Sequence, residues 1–553
     1  MSPTQNHRRL RIGVDVGGTN TDGVILDPLE ENPENAIKAW HKTPTTDDPG
    51  HGIEKAITSM LGNGIDASEI ASVTIGTTHF VNAIVEMDTS RLSRVAVLRL
   101  CGPFTKHVEP FADWDSSLRD AVLGYSALLK GGLEVDGNLI SDIDEDEIRA
   151  HCEGIRHARV QAVVVTGVFS PIDTVEKQEE RVASIIRDVL PGCDVVCSRD
   201  VAGLGFLERE NAAILNAVIL KFARRTIRSF RQSLKRLGMN CPLFVTQNDG
   251  TAILDTAASQ LPIRTFSSGP TNSIRGAAFL SHGPLEQDVM VVDIGGTTTD
   301  VGLLQKNGFP RQQAAYSDLC GVRLNFSCPD IKSIGLGGGS IVRQTDNALA
   351  IGPDSVGYKL TEEAVSFGGN TLTATDLSLL ANPALDLGDR SLLAGKATES
   401  QITAFQDLVH QKLERIIDTM KTSPEDLPVI LVGGGAIVAP DSLGGTSKVL
   451  KPALAHVANA IGAATARISV VEDTIMSTED TPARELLEKV KASALEKAAA
   501  AGAKPSSIEI VEVQTLPLPV SCSHSPQEPR KLTDCFAVYF QQDSFRRQSC
   551  WRV

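Results

Sequence analysis

Asp15-Val16-Gly17-Gly18-Thr19-Asn20-Thr21-Asp22 recurs later in the chain as Asp293-Ile294-Gly295-Gly296-Thr297-Thr298-Thr299-Asp300. Apolar runs flank both copies. Ile12-Gly13-Val14 and Gly23-Val24-Ile25-Leu26 enclose the first, and Val289-Met290-Val291-Val292 and Val301-Gly302-Leu303-Leu304 enclose the second. Each copy reads as strand, glycine turn, strand. Paired glycines let backbone N–H groups approach an anion, and a threonine hydroxyl can donate to the same anion. The leading aspartate suits a hydrated Mg²⁺, an oxygen-seeking ion that keeps several waters. One copy alone is also what an ordinary hairpin looks like. Two copies point to two homologous halves closing on one nucleotide.

The bulk composition sets limits. A chain of 553 residues holds several domains, and 42% hydrophobic with 22% charged residues is ordinary for a soluble enzyme. The net charge of −15 argues against nucleic acid as a partner, because phosphate backbones require a basic face. The N-terminus has basic residues but no apolar stretch behind them, so no secretory signal is expected. No run approaches the 18 or so apolar residues of a membrane span. The ten cysteines are scattered, and Cys193 and Cys197 lack the companions of a zinc site. Reduced thiols in a cytoplasmic protein are expected.

Strand and helix patterns alternate along the chain, which predicts an α/β architecture. The apolar run 160–168 reads as a strand covered on both faces, residues 174–190 as an amphipathic helix, and residues from Phe206 towards Leu237 as a long connecting helix. Residues 303–425 read as an insertion followed by a helix from about Glu399 to Thr419. The last 33 residues differ. Ser, Gln, Pro and Arg dominate, and only Phe536–Phe540 can make a strand. Residues 521–553 are expected to form an atypical, poorly ordered tail.

Three further glycine-rich elements carry chemistry. In the first, Val429–Val432 leads into Gly433-Gly434-Gly435, a strand-to-turn element that lets a base or ribose lie against backbone. In the second, Ser333–Ser340 holds a glycine loop that is either functional or merely mobile. In the third, Gly76-Thr77-Thr78-His79 places two hydroxyls and an imidazole at a strand end, facing substrate or phosphate or capping the next helix.

Together these motifs resemble the actin, sugar-kinase and heat-shock ATPase superfamily, and more narrowly the hydantoinase A and 5-oxoprolinase family. The narrower resemblance rests on Gly13–Asp22, Thr74–Glu86, Glu208–Ala217, Ser268-Gly269-Pro270, Asp293–Asp300, Ile334–Ser340, Ile351–Ser355, Thr373–Asp376 and Val432–Ala436. It covers about residues 9–520 and departs at Asn20, where the family often has an aromatic, and after Val520.

The resemblance implies two actin-like, ribonuclease H-like halves flanking a nucleotide cleft. Residues 9–205 would be the N-terminal domain with the first phosphate hairpin. Residues 206–520 would carry the second hairpin and the adenosine loop, with final strands left incomplete. It implies ATP and Mg²⁺ as cofactors, with Asp15 and Asp293 at the metal. Gly17, Gly18, Thr19, Gly295, Gly296, Thr297 and Thr298 would hold phosphate, and Gly433, Gly434 and Gly435 adenosine. Thr77, Thr78 and His79 would face the reacting groups, while Asp22 and Asp300 would brace the hairpins. The implied reaction is ATP-dependent opening of a cyclic amide, with a B-type subunit or a second copy of the chain as partner. Two other activities fit the same motifs. One is a small-molecule kinase, for which Gln247-Asn248-Asp249-Gly250 would supply the catalytic aspartate. The other is a non-catalytic nucleotide-dependent binding protein.

Overall fold

The chain opens with a hairpin, β1 (Leu10–Val16) and β2 (Asn20–Leu26), continued by β3 (Ile37–Pro44), helix α1 (Pro49–Leu61) and β4 (Ile70–Thr77). The structure, a computed structural model, describes residues 9–18, 20–30, 32–46, 48–62, 64–281, 286–306, 308–313, 316–326, 328–344, 349–478, 481–503, 505–520 and 531–542. β1 runs antiparallel to β2 and parallel to β4, and β2 runs antiparallel to β3. A smaller parallel sheet follows, made of β5 (Val95–Leu100), β6 (Leu123–Leu129), β7 (Ala162–Gly167) and β8 (Asp194–Cys197). Its order is β6-β5-β7-β8. Helices α2 (Glu145–Ala158) and α3 (Gln178–Val189) accompany it. β5 and β7 are buried at every position, as strands covered on both faces must be.

The long helix α4 (Phe206–Arg236) leads to β9 (Leu243–Thr246), β10 (Thr251–Leu254) and α5 (Ser268–Leu280). The second half begins with the hairpin β11 (Val289–Ile294) and β12 (Thr299–Leu304). It continues through β13 (Ser317–Leu319), β14 (Val322–Leu324), β15 (Ile331–Ile334), β16 (Ser340–Gln344), β17 (Leu349–Ser355), α6 (Glu399–Met420), β18 (Leu427–Val432) and β19 (Thr446–Leu450). A short helix α7 (Ala458–Ala464) precedes β20 (Arg467–Ser477), β21 (Ile508–Val520) and β22 (Lys531–Gln542).

The duplication seen in the sequence is a duplication of topology. The strand order β3-β2-β1-β4-β9 in one sheet is matched by β15-β12-β11-β18-β19 in the other. The pairing senses match as well: antiparallel, antiparallel, parallel, parallel. Register matches too. Asp15 lies opposite Asp22, and Asp293 lies opposite Asp300.

The sheets do not divide at the expected boundary of 205/206. β9, β10 and β20–β22 all join the sheet of the first hairpin, which has nine strands. In the expected tail, Lys531–Gln542 pairs along its length with β20 and β21, so poor order does not extend over these twelve residues. The final strands therefore extend the first sheet instead of leaving the second unfinished. The rest of 521–553 lies outside the described residues.

Two small-residue helices lock the halves together. α5 and α7 pack so closely that a Cβ on Gly276 would lie 1.9 Å from Ala458 O, and one on Gly462 would lie 1.9 Å from Asn272 O. The core around them takes Val24 and Leu26 from the first hairpin, and Val289, Val291 and Leu304 from the second. Any side chain at these glycines forces the helices apart. Gly276→Ala is expected to destabilise the protein by at least about 2 kcal/mol, the scale of an overpacked core. Urea unfolding measures this, and an unchanged midpoint would contradict the packing argument.

Candidate functional site

The twin hairpins meet through their leading aspartates. Asn459 of α7 donates from Nδ2 to Asp15 Oδ2 at 3.4 Å. The Asn459 Oδ1 atom and the Asp293 Oδ2 atom both contact Ser273 Oγ of α5. Asp15 and Asp293 are thus the two ends of one polar chain, Asp15–Asn459–Ser273–Asp293. The bridging residues sit on the two helices whose close packing was described above.

With Asn459 Nδ2 on Asp15, the single Ser273 hydroxyl hydrogen must serve both Asn459 Oδ1 and Asp293. It can serve only one, so the other contact requires a proton on Asp293. With the amide turned round, the missing proton falls on Asp15. In either case one carboxyl must hold a proton, or a cation must take its place.

The electrostatics agree. Burial pushes the Asp15 carboxyl up to about 7, and the charges of Asp22 and Asp293 add to the effect. Burial also raises Asp22 against the opposing Lys42 ammonium, and raises Asp293 against the Ser273 hydrogen bond. Asp300 is pushed up to about 6 by burial, despite its contact with Ser333. Lys42, which pairs with Asp22 at 2.7 Å, is the ammonium that acts on Asp22 and Asp293. Withdrawn carboxylates in such excess call for a cation. Among the described residues no three His, Cys, Asp or Glu side chains form a ready metal cage. The donor set therefore suits a hard ion held partly through its own water, such as Mg²⁺.

The expected phosphate residues divide by how their backbone is used. The N–H of Gly17 closes its turn onto Asn20 O at 3.0 Å, and that of Gly295 closes onto Thr298 O at 2.8 Å. Those two donors are spent. Gly18 has open space around it, and the side chains of Thr297 and Thr298 are exposed at the second turn. Thr19 lies outside the described residues. The glycine loop 335–340 grips the second hairpin: Gly338 N–H donates to Gly295 O at 3.0 Å and Gly339 N–H to Gly296 O at 2.7 Å. It supports the tip instead of forming a separate site.

The third glycine turn abuts the same place. Gly433 has a φ of 91°, and a Cβ there would fall 2.2 Å from Asp293 Oδ1. Gly433 N–H donates to Ala455 O and Gly435 N–H to Ile294 O, which leaves Gly434 in open space. A cleft of about 720 Å³ adjoins this turn, lined among others by Asn382, Gln406, His410, Gly434, Lys451 and His456. The buried Nε2 of His456 has no hydrogen-bond partner among the described residues.

The segment 77–79 is split. Thr77 is buried, and its Oγ1 accepts from His79 N–H at 3.1 Å. Thr78 faces Gly269 at the start of α5. The His79 ring turns to Phe222 of α4 at 5.1 Å, and burial with the Arg91 charge lowers it to about 4. The structure therefore does not bring His79 to the carboxylates. Gly76 has a different use: a Cβ there would lie 2.2 Å from Asn272 Nδ2 and 2.7 Å from Asp15 Oδ1. Sequence reasoning missed Asn272, Ser273 and Asn459. The one available signal was polar residues inside small-residue helices. Asp22 and Asp300 each reach the neighbouring strand, through Lys42 and Ser333.

The chain belongs to the hydantoinase/oxoprolinase family. The N-terminal region of that family matches residues 11–190, and its hydantoinase/oxoprolinase region matches residues 209–429. The caprolactamase subunit alpha of Pseudomonas jessenii is 26% identical over 429 residues, which is 73% of this chain and 58% of that protein. The 5-oxoprolinase of Saccharomyces cerevisiae is 22% identical over 411 residues, 67% of this chain and 31% of that protein. Across three of the curated relatives it matches, the chain spans 39% to 62% of their length. Among solved structures, the ATP-dependent caprolactamase from Pseudomonas jessenii superposes with a TM-score of 0.70 at 20% identity, covering 98% of this chain and 89% of that one. Nucleotide-free acetone carboxylase gives 0.69 at 18% identity, covering 97% and 88%. The fold is the expected pair of actin-like halves. No helix of the described residues is long and apolar enough to cross a membrane.

The raised Asp15 carboxyl makes a signed prediction. Its proton is favoured in the folded state, so stability is full below pH ~4 and is lost as pH rises through about 7. Asp15→Asn removes that loss. Without divalent cations, the variant should melt above the native protein at pH 8, with the gap closing towards pH 4. The gain should be a few kcal/mol at most, a tenfold change in proton affinity corresponding to about 1.4 kcal/mol. Thermal melts across this range check it, and a variant less stable at pH 8 would contradict it.

Proposed function

We propose that the chain is the nucleotide-binding component of an ATP-dependent enzyme that opens a cyclic amide, such as 5-oxoproline, a hydantoin or a related lactam or imide, by phosphorylating the ring carbonyl oxygen. The observation that carries this reading is the bridge from Asp15 to Asp293. It joins two phosphate-type turns beside a cleft large enough for a nucleoside. Family membership supports the amide class.

Amides resist hydrolysis because nitrogen donates into the carbonyl. Placing a phosphoryl group on the oxygen fixes the C–N bond as an activated imidate whose carbon is electrophilic; water adds there, the ring C–N bond breaks as nitrogen takes up a proton, and a second water hydrolyses the resulting acyl phosphate to carboxylate and inorganic phosphate. The chain's own contribution is positioning and charge. Asp15 and Asp293 would hold the water shell of Mg²⁺, and Asn459 and Ser273 would fix their orientation. When bound, Mg²⁺ supplies neutralisation of the phosphate charge. Gly18, Gly296, Thr297 and Thr298 would donate to phosphate oxygens, and Gly434 would leave space for the adenosine. Thr78, which follows β4 and faces Gly269 of α5, would meet the ring substrate.

A partner is part of this reading, either a B-type subunit or a second copy of the chain. The relative named above is itself called a subunit. The kinase reading would assign the base to Asp249, whose Oδ1 accepts from Thr251 N–H at 2.9 Å and from its hydroxyl at 2.6 Å.

A coupled ADP-release assay with a panel of lactams, hydantoins and 5-oxoproline tests the proposal. A further arm supplies ketone and bicarbonate in place of the ring. ADP release that requires a cyclic amide supports the reading. Release only with ketone and bicarbonate, or a stable phosphorylated product, overturns it. In the same assay, Asp293→Asn should cut turnover at least tenfold, about 1.4 kcal/mol of barrier, in protein that remains folded. Unchanged turnover would remove Asp293 from the site.

A further inference from the structure

A second cavity of about 860 Å³ lies at the amino ends of β7 and β8, against the middle of α4. It shares no lining residue with the nucleotide cleft. Arg156, Arg159, Lys221, Arg224 and Arg228 line it, with Asp194 the one acidic residue among them. Such a concentration of positive charge is unusual on a chain whose net charge is −15.

Two of the five cations have evident structural work. Arg156 donates to Val189 O at 2.9 Å, which caps the end of α3, and it pairs with Glu153. Arg224 pairs with Asp194. The other three do not. Arg159, Lys221 and Arg228 have no ion-pair partner among the described residues, and all three are exposed. Arg228 makes one hydrogen bond, to Arg224 O. Lys221 and Arg228 sit mid-helix, where no helix end calls for a cation. Arg159 ends α2 with a φ of 53°, a left-handed conformation that glycine adopts without cost.

The geometry also describes the ligand. Lys221, Arg224 and Arg228 follow one face of α4 and span roughly 10 Å at 1.5 Å per residue. A ligand extended along that row would meet all three cations at once. Ile155, Val160, Leu190 and Pro191 add apolar surface to the lining. We propose that this cavity binds a small extended polyanion, two or more phosphate or carboxylate groups carried on a body with an apolar face. Because it shares no lining residue with the cleft at Gly434, it is a second site, independent of the activity proposed above.

Isothermal titration of the full chain without Mg²⁺ tests this, with inorganic tripolyphosphate and citrate as separate probes. Saturable binding of one probe per chain is expected, weakening as salt rises. Preference for tripolyphosphate would assign the ligand as a polyphosphate, and preference for citrate as a polycarboxylate. Lys221→Glu with Arg228→Glu should weaken binding at least tenfold. The milder pair Lys221→Gln and Arg228→Gln should give an intermediate loss if charge reversal harms folding. Absence of saturable binding for both probes would overturn the proposal. So would binding that survives in the double variant but vanishes in Gly434→Val, since the anion would then lie in the nucleotide cleft.

Discussion

Four aspartates drawn out of water with one lysine among them are the constraint on which the structure turns. Burial raises the carboxyls of Asp15, Asp22, Asp293 and Asp300 above their ordinary range, so negative charge is disfavoured on each of them. The fold nevertheless brings them together, from strands that belong to different sheets. What makes this possible is the pair of helices α5 and α7. Their glycines allow near contact of backbone with backbone, and that closeness lets Ser273 and Asn459 bridge the two hairpins. Packing, polar bridging and charge are thus one arrangement.

The same view explains the glycines around the site. Gly76 leaves room for Asn272 beside Asp15, and Gly433 leaves room for Asp293. These glycines admit neighbouring side chains, whereas Gly18 and Gly434 face open space. Identical residue types therefore do different jobs, and only the structure separates them. The loop 335–340 adds a third use, since its N–H groups hold the second turn in shape.

Much of the fold was legible because the duplication is written in residues. Asp-x-Gly-Gly-Thr-x-x-Asp fixes both the turn and the register of a hairpin, and flanking apolar strands repeat with it. The strand ending in Gly433-Gly434-Gly435 was legible for the same reason. Asn459 and Ser273 were not, because a polar residue within a helix gives no sign of which distant element it will meet. Thr77, Thr78 and His79 are adjacent in sequence, yet the turn into a helix sends their side chains in three directions. Only Phe536–Phe540 of strand Lys531–Gln542 was legible as a strand, because its pairing partners, β20 and β21, are set by sheet position and not by a pattern within the segment. That late strands return to the first sheet was not legible for a related reason.

The proposed ATP site requires that a cation replace a proton in the chain Asp15–Asn459–Ser273–Asp293 when nucleotide binds. Calorimetric titration of Mg·ADP near pH 6.5, in two buffers of different ionisation enthalpy, measures that exchange directly. The account predicts release of about one proton per bound nucleotide, as expected where ligand binding requires deprotonated groups, and no comparable release when ADP is added without Mg²⁺. Binding of Mg·ADP with the same heat in both buffers would contradict it.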